Sequence, residues 1–291
     1  MNMKIARRTF VGIVTSGLLA AGAAWADDIA KFDAAAALVP KSIAESATLR
    51  IAMPDQGKPF AYKEGNELKG MDVDMARAIA GTLGLNPEIT LVPFAGALAG
   101  LEADKFDISF GQFYIRAERL AVADFVTSWR VYNTFLLKSD KDLRPLQVTD
   151  LCGYRAGTMA ASVQLEELQK NADNCATGKI EVSAFPSASA AALALSSDRI
   201  DVMFTDPAFA HEVMKADKSL ITSGELDGAP TAIAVRRDED APAMDKAIQA
   251  ALTHLQQTGE YQKLLEANET AFGALTEFDI YDANSTPPSY Q

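Results

Sequence analysis

The sequence predicts an α/β protein of two lobes joined by two crossover strands. Three features predict it. Short apolar runs alternate with helical patterns from residue 48 to 138. The alternation restarts after "SDKDLRPLQVTDLCG", a charged, turn-prone connector. One more strand and two helices follow residue 230 and need a home. Completing the first unit with them leaves two units of similar size and a cleft between them, where α/β sheets bind ligands.

The elements follow in order. Residues 27–46 are alanine-rich and polar and read as an N-terminal extension. "TLRIAM" (48–53) reads as a strand. Val73, Ala76, Ile79 and Ala80 fall near helical spacing, and Gly84 ends that helix. "EITLVPF" (88–94) is a strand, 96–104 a helix and "FDISF" (106–110) a strand. A helix over 116–123 and an extended "VYNTFLLK" (131–138) complete the first pass, with mostly parallel strands expected. In the second unit "YRAGTM", "KIEVSAF" and "IDVMF" are strands, and 162–171, 188–196 and 207–215 are helices. "PTAIAVRR" (230–237) is a strand. Met244, Ile248, Ala251, Leu252 and Leu255 mark one face of a helix over 243–257, and 259–267 is another. The expected division is 47–132 with 232–275 for lobe 1, 133–231 for lobe 2, and 276–291 for a tail. Hinges are expected near 130–137 and 226–232.

Lys4, Arg7 and Arg8, an apolar run too short to span a bilayer with ease, and Ala24-Trp25-Ala26 read as a signal peptide over 1–26, cleaved after Ala26. "ARRTFVG" is compatible with twin-arginine export and with an ordinary Sec signal. The signal carries three cations and no acids, so the formal charge of -12 becomes -15 without it. Nucleic acid and anionic membrane are poor partners for such a surface. The cysteines number two, Cys152 and Cys175. An exported chain with an even count reads as disulfide-bonded, and closing that loop stabilises by about 3 kcal/mol; two free buried thiols are the alternative. With His211 and His254 the only histidines, no metal site is expected, and nothing calls for a cofactor.

One feature is out of place. "GQFYIRAERLAVADF" puts Arg116 and Arg119 in the first turn of a predicted helix. A cation there costs a few tenths of a kcal/mol unless an anion sits nearby.

Four blocks in order resemble the family-3 extracellular solute-binding proteins, the periplasmic amino-acid receptors of ABC importers. They are "LRIAMPDQGKPFAY" with "LKGMDVDMARAIAGTLGL", "LEADKFDISFGQFYIRAERLAVADFVTSW", "SSDRIDVMFTDPAFA", and "TAIAVRRDEDAPAMDKAIQAALTHLQQTGEYQKLLE". The resemblance covers roughly 47–275 and implies the two-lobed type-2 periplasmic binding fold. It also implies a periplasmic, monomeric receptor that hands an amino-acid-like ligand to an ABC permease. The alternatives are a periplasmic sensor or accessory protein and an enzyme resembling cyclohexadienyl dehydratase.

The resemblance assigns roles residue by residue. Arg119 matches the arginine that grips a ligand α-carboxylate, and a guanidinium fork suits that group bidentately. Asp206 matches the carboxylate for the α-ammonium; with Pro207 next, it also reads as a helix N-cap. Phe94 matches an aromatic wall, although a lone Phe after a strand is also a core residue. Gln112 and Tyr114 stand where the family has small residues, which implies a reshaped pocket. "GT" at 157–158 looks like the family's carboxylate loop, but counting from Cys152 places that loop at 161–163. Ser162 then caps a helix and offers its hydroxyl, with Met159 lining the pocket. Asp55 stands beside Pro54 and Gly57, where many members carry an acid and an aromatic. Arg116 replaces a capping threonine, and is either a surface residue or a second cation at the cleft. Trp129 falls near the hinge. The Cys152–Cys175 pair also occurs in a subset of the family.

Overall fold

The computed structural model describes residues 29–176 and 178–288; the predicted signal peptide and its cleavage site lie outside the described residues. Strand β1 (Thr48–Pro54) lies parallel between β4 (Asn86–Val92) and β5 (Ile108–Tyr114). Its Leu49, Ile51 and Met53 are fully buried. A small hairpin, β2 (Tyr62–Glu64) with β3 (Glu67–Lys69), was not visible in the apolar pattern. In the second half β7 (Arg155–Met159) lies parallel between β8 (Glu181–Phe185) and β9 (Val202–Thr205).

Two long strands connect the halves. β6 (Ala123–Lys138) and β10 (Leu220–Arg236) pair antiparallel along nearly their whole length. β10 pairs with β5 on one side, and β6 pairs with β9 on the other. A single sheet therefore runs through both halves in the order β4-β1-β5-β10-β6-β9-β7-β8. The strands outside the crossing pair are parallel as expected, but the crossing pair itself is antiparallel to its neighbours. This is the two-lobed type-2 fold.

Both crossing strands begin well before their predicted starts. Helix α5 (Ala117–Leu120) is a single turn, and the chain is extended from Ala123. Phe125 and Val126 are successive and both fully buried. A strand covered on both faces shows no alternation, so its sequence reads as well for a helix as for a strand.

The helices obey local rules. α3 (Met71–Leu83) starts after Gly70, where a Cβ would stand 2.2 Å from the Phe60 carbonyl oxygen. α6 (Val163–Asn171), α7 (Ala188–Ser196) and α8 (Pro207–Ala216) begin at Ser162, Ser187 and Asp206, whose side chains accept from the backbone N–H three residues on. α9 (Ala241–Gln257) buries the predicted stripe against the first half. Helices α4 (Ala97–Glu102) and α10 (Glu260–Ala267) complete that half. The N-terminal extension is folded onto it. Helices α1 (Asp33–Ala36) and α2 (Lys41–Ser46) bury Ala35 and Ile43, and Phe32 stacks on His254 at 4.0 Å. The tail also joins, as β11 (Ile280–Tyr281) pairs with β6. Among the described residues no helix is long and apolar enough to cross a membrane.

Cys152 and Cys175 form a disulfide in the second half, with Cα atoms 5.7 Å apart. Replacing both by serine removes a constraint on the unfolded chain. The expected loss is about 3 kcal/mol, read as a lower urea midpoint than wild type.

Two buried carboxyls sit in the first half. Burial pushes Asp72 up to about 7, against the hydrogen bond from Gln112. Burial, then repulsion from Asp124 and Asp282, pushes Asp245 up to about 8, with Arg237 opposing. Between the ordinary carboxyl range near pH 4 and these raised values, the folded chain holds protons that the unfolded chain has lost. Stability therefore rises as pH falls from 8 toward 5. Thermal melts across that range should show the rise, and Asp72→Asn with Asp245→Asn should reduce it, most strongly between pH 8 and 6.

Candidate functional site

The carboxyl ends of β1, β5, β7 and β9 converge on one cavity between the halves. Phe94, Gln112, Tyr114 and Arg119 line it from the first half; Met159, Ser162 and Asp206 line it from the second. Those are seven of the predicted ligand-binding residues. The eighth, Asp55, does not line it. Asp55 is exposed, and its carboxylate accepts from the Gly57 N–H at 3.3 Å within its own turn. The next residue, Gln56, is buried and lines the cavity instead. The strand ends at Pro54, so the in-out alternation stops one residue before the prediction needed it.

Arg119 is held by its surroundings. It is buried, with its guanidinium carbon 5.9 Å from the Phe94 ring centre and 5.7 Å from that of Phe113. Faces of aromatic rings attract such a cation. Nη1 donates to the Tyr114 carbonyl at 3.0 Å. Nη2 donates to the Ala161 carbonyl at 3.2 Å, which reaches the second half. Phe94 itself opens a 3₁₀ turn and packs on Phe113 at 5.3 Å, so it is both a core residue and a wall of the cavity.

Gln112 adopts a left-handed backbone with φ of 55°. The pairing of β5 with β10 slips there, between Ala232 and Ala234. Both ends of its amide are engaged: Nε2 donates to Asp72 Oδ1 at 2.5 Å, and Oε1 accepts from Thr231 Oγ1 at 2.8 Å. The Tyr114 hydroxyl accepts from Asn133 Nδ2 at 2.9 Å, and Asn133 Oδ1 accepts from Gln164 Nε2 at 2.8 Å. This chain links β5, the crossing strand β6 and helix α6.

Asp206 follows β9 and caps α8, with Oδ1 accepting from the Phe209 N–H at 2.7 Å. Asp206 is half-buried and lines the cavity. Removal from bulk water pushes it up to about 6, against the stabilising hydrogen bonds from its helix. Ser162 caps α6 as the residue count required, after Ala161 in a left-handed conformation. Its hydroxyl proton is already given to the Met159 carbonyl at 2.7 Å. What Ser162 has left to offer is acceptor capacity.

Arg116 occupies the N-cap position of α5 without capping it. It does not line the cavity. Nη1 donates to Glu166 Oε2 at 2.7 Å, and this ion pair spans from α5 to α6 beside the cavity mouth. Sequence reasoning also missed Thr158, at the end of β7, and Thr205; both line the cavity. Thr158 belongs to the "GT" pair that the residue count set aside. Among the described residues no group of three or more metal-ligating side chains is placed to hold a metal ion.

The chain is similar to known amino-acid-binding proteins. Over 236 residues the chain is 25% identical to the arginine-binding protein ArgT of Corynebacterium glutamicum, covering 79% of this chain and 76% of ArgT. It is 25% identical over 236 residues to the L-cystine-binding protein TcyJ of Escherichia coli, covering 80% and 85%. A solved structure of an ancestral arginine-binding protein bound to glutamine superposes with a TM-score of 0.70 at 28% identity, covering 77% of this chain and 98% of that one. Residues 49–268 match the family model of bacterial extracellular solute-binding proteins, family 3. With most of its length inside that match and its cavity at the junction of two lobes, the chain belongs to family 3 of the bacterial extracellular solute-binding proteins.

Proposed function

We propose that this protein is a periplasmic receptor that captures an amino acid between its lobes and delivers it to an ABC permease. The single observation that carries the reading is that Arg119 from one lobe and Asp206 from the other line the same cavity. An α-amino acid presents a carboxylate and an ammonium a short distance apart. Arg119 receives the carboxylate, and Asp206 receives the ammonium. The relatives named above bind arginine, cystine and glutamine, whose shared part is that head group. Phe94, Met159, Gln112, Tyr114 and Ser162 enclose it.

Each lobe supplies half of the contacts, so ligand favours the closed arrangement over an open one. In this reading lobe 1 is 47–132 with 232–275, lobe 2 is 133–231, and the crossing strands bend near 130–137 and 226–232. Cleavage after Ala26 and a monomeric state complete the proposal. Calorimetry with a panel of amino acids tests it. Arg119→Ala and Asp206→Asn should each weaken binding about 100-fold, the loss of one to two charge-assisted hydrogen bonds. Equal affinity in wild type and Arg119→Ala removes the residue from the site.

The pH dependence has a definite sign. The ammonium needs an ionised Asp206, whose carboxyl in the free protein sits at about 6. Affinity is therefore flat above pH 7 and falls below pH 6, approaching tenfold per unit. Titrations at pH 5 and 7.5 check it, and Asp206→Asn abolishes the difference.

The same raised carboxyl favours a second reading, a dehydratase-like enzyme, because a group near neutrality serves proton transfer. Incubation with arogenate or prephenate decides it; release of an aromatic product would replace the receptor reading.

A further inference from the structure

Within the receptor reading, the cavity also constrains the ligand's side chain. We infer that this side chain is uncharged and carries an N–H or O–H donor, a carboxamide or a hydroxyl, which Gln56 Oε1 accepts.

The inference begins with charge. Arg119 and Asp206 are the charged residues lining the cavity, and the head group of an amino acid occupies both. A guanidinium or ammonium side chain would need a second carboxylate, because a desolvated cation is costly without a partner. Asp55, the acid that the sequence offered for that role, is exposed and turned into its own loop. Asp72 stands behind Gln112, is held near 7, and does not line the cavity. An acidic side chain would need a second cation. Arg116 is engaged with Glu166 and lies outside the cavity. Both charged classes therefore lack a counter-ion.

The second step concerns polarity. Gln56 is buried at 8% exposure, and its Nε2 donates to the Gly111 carbonyl at 3.1 Å. That bond fixes which end of the amide faces the backbone. Its Oε1 is buried and has no hydrogen-bond partner. An unsatisfied buried acceptor is costly, and a ligand donor relieves that cost while an apolar side chain perpetuates it. Of the buried side-chain atoms without a hydrogen-bond partner among the described residues, Gln56 Oε1 is the one that belongs to the cavity lining. Gln112 gives its Nε2 to Asp72 and its Oε1 accepts from Thr231, and the half-buried Gln164 gives its Nε2 to Asn133. Phe60, Val131 and Met203 line the remaining wall and suit the methylenes of such a side chain.

Calorimetry on the purified full chain tests this with five probes: L-glutamine, L-asparagine, L-threonine, L-norleucine and L-arginine. At least one of the first three should bind about tenfold or more tighter than norleucine and arginine. Gln56→Leu should shrink that ratio toward unity by weakening the donor-bearing ligand. Gln56→Met, with a flexible isosteric side chain, repeats the test if the leucine variant misfolds. Arginine or norleucine binding as tightly as the best of the first three overturns the inference and leaves the receptor reading standing. An unchanged ratio in both variants overturns the role of Gln56. Failure of every probe to bind a natively folded chain overturns the inference, and the receptor reading is then decided by the wider amino-acid panel.

Discussion

The antiparallel pair β6–β10 is the constraint on which the molecule depends. Every other strand of the main sheet reaches the opposite half only through it. The pairing is broken by register shifts between Ser223 and Leu226, between Leu226 and Ala229, and between Thr231 and Ala232. At Gly228 the backbones approach so closely that a Cβ would stand 1.9 Å from the Val131 carbonyl oxygen. Such bulges bend and twist a ladder locally while the flanking pairs stay in place. The cavity opens beside this irregular stretch, and Val131 is part of its wall.

The position of Arg119 follows from that geometry rather than from helix electrostatics. A helix of eight residues with a cation in its first turn would carry a dipole penalty. A single turn has almost no macrodipole, so the conflict seen in the sequence largely disappears once α5 ends at Leu120. Two aromatic faces and two carbonyl oxygens are among the contacts that hold the guanidinium. Those same contacts pre-arrange a fork of N–H donors before any anion arrives, which lowers the ordering cost of binding.

Much of the fold was legible in the sequence because its period signals are strong. The stripe on α9, the caps at Ser162 and Asp206, and the strand cores around Ile51 and Met203 all read directly. The misreadings have separate physical causes. Phe125 and Val126 are buried on opposite faces, so periodicity could not separate strand from helix there. The extension before Thr48 and the segment around Ile280 carry weak patterns because each buries only a few side chains. At the site, Arg119 and Asp206, which the family resemblance singled out, both line the cavity. The loop after β1 did not: beyond Pro54 no alternation remains, and Gln56 rather than Asp55 faces inward. Buried acids such as Asp72 and Asp245 also escape a pattern reading, because their burial is decided by distant packing.

Trp129 sits at the same junction. Its indole is fully buried, edge-on to Phe60 at 5.5 Å and Phe272 at 5.4 Å, with Nε1 donating to the Thr270 carbonyl. The chain's other tryptophan, Trp25, precedes residue 27. A chain cleaved after Ala26 would carry Trp129 as its lone tryptophan, on the strand that passes between its halves and next to Phe60 of the cavity wall. Ultraviolet emission from that indole is an intrinsic, label-free gauge of how the two halves sit against each other.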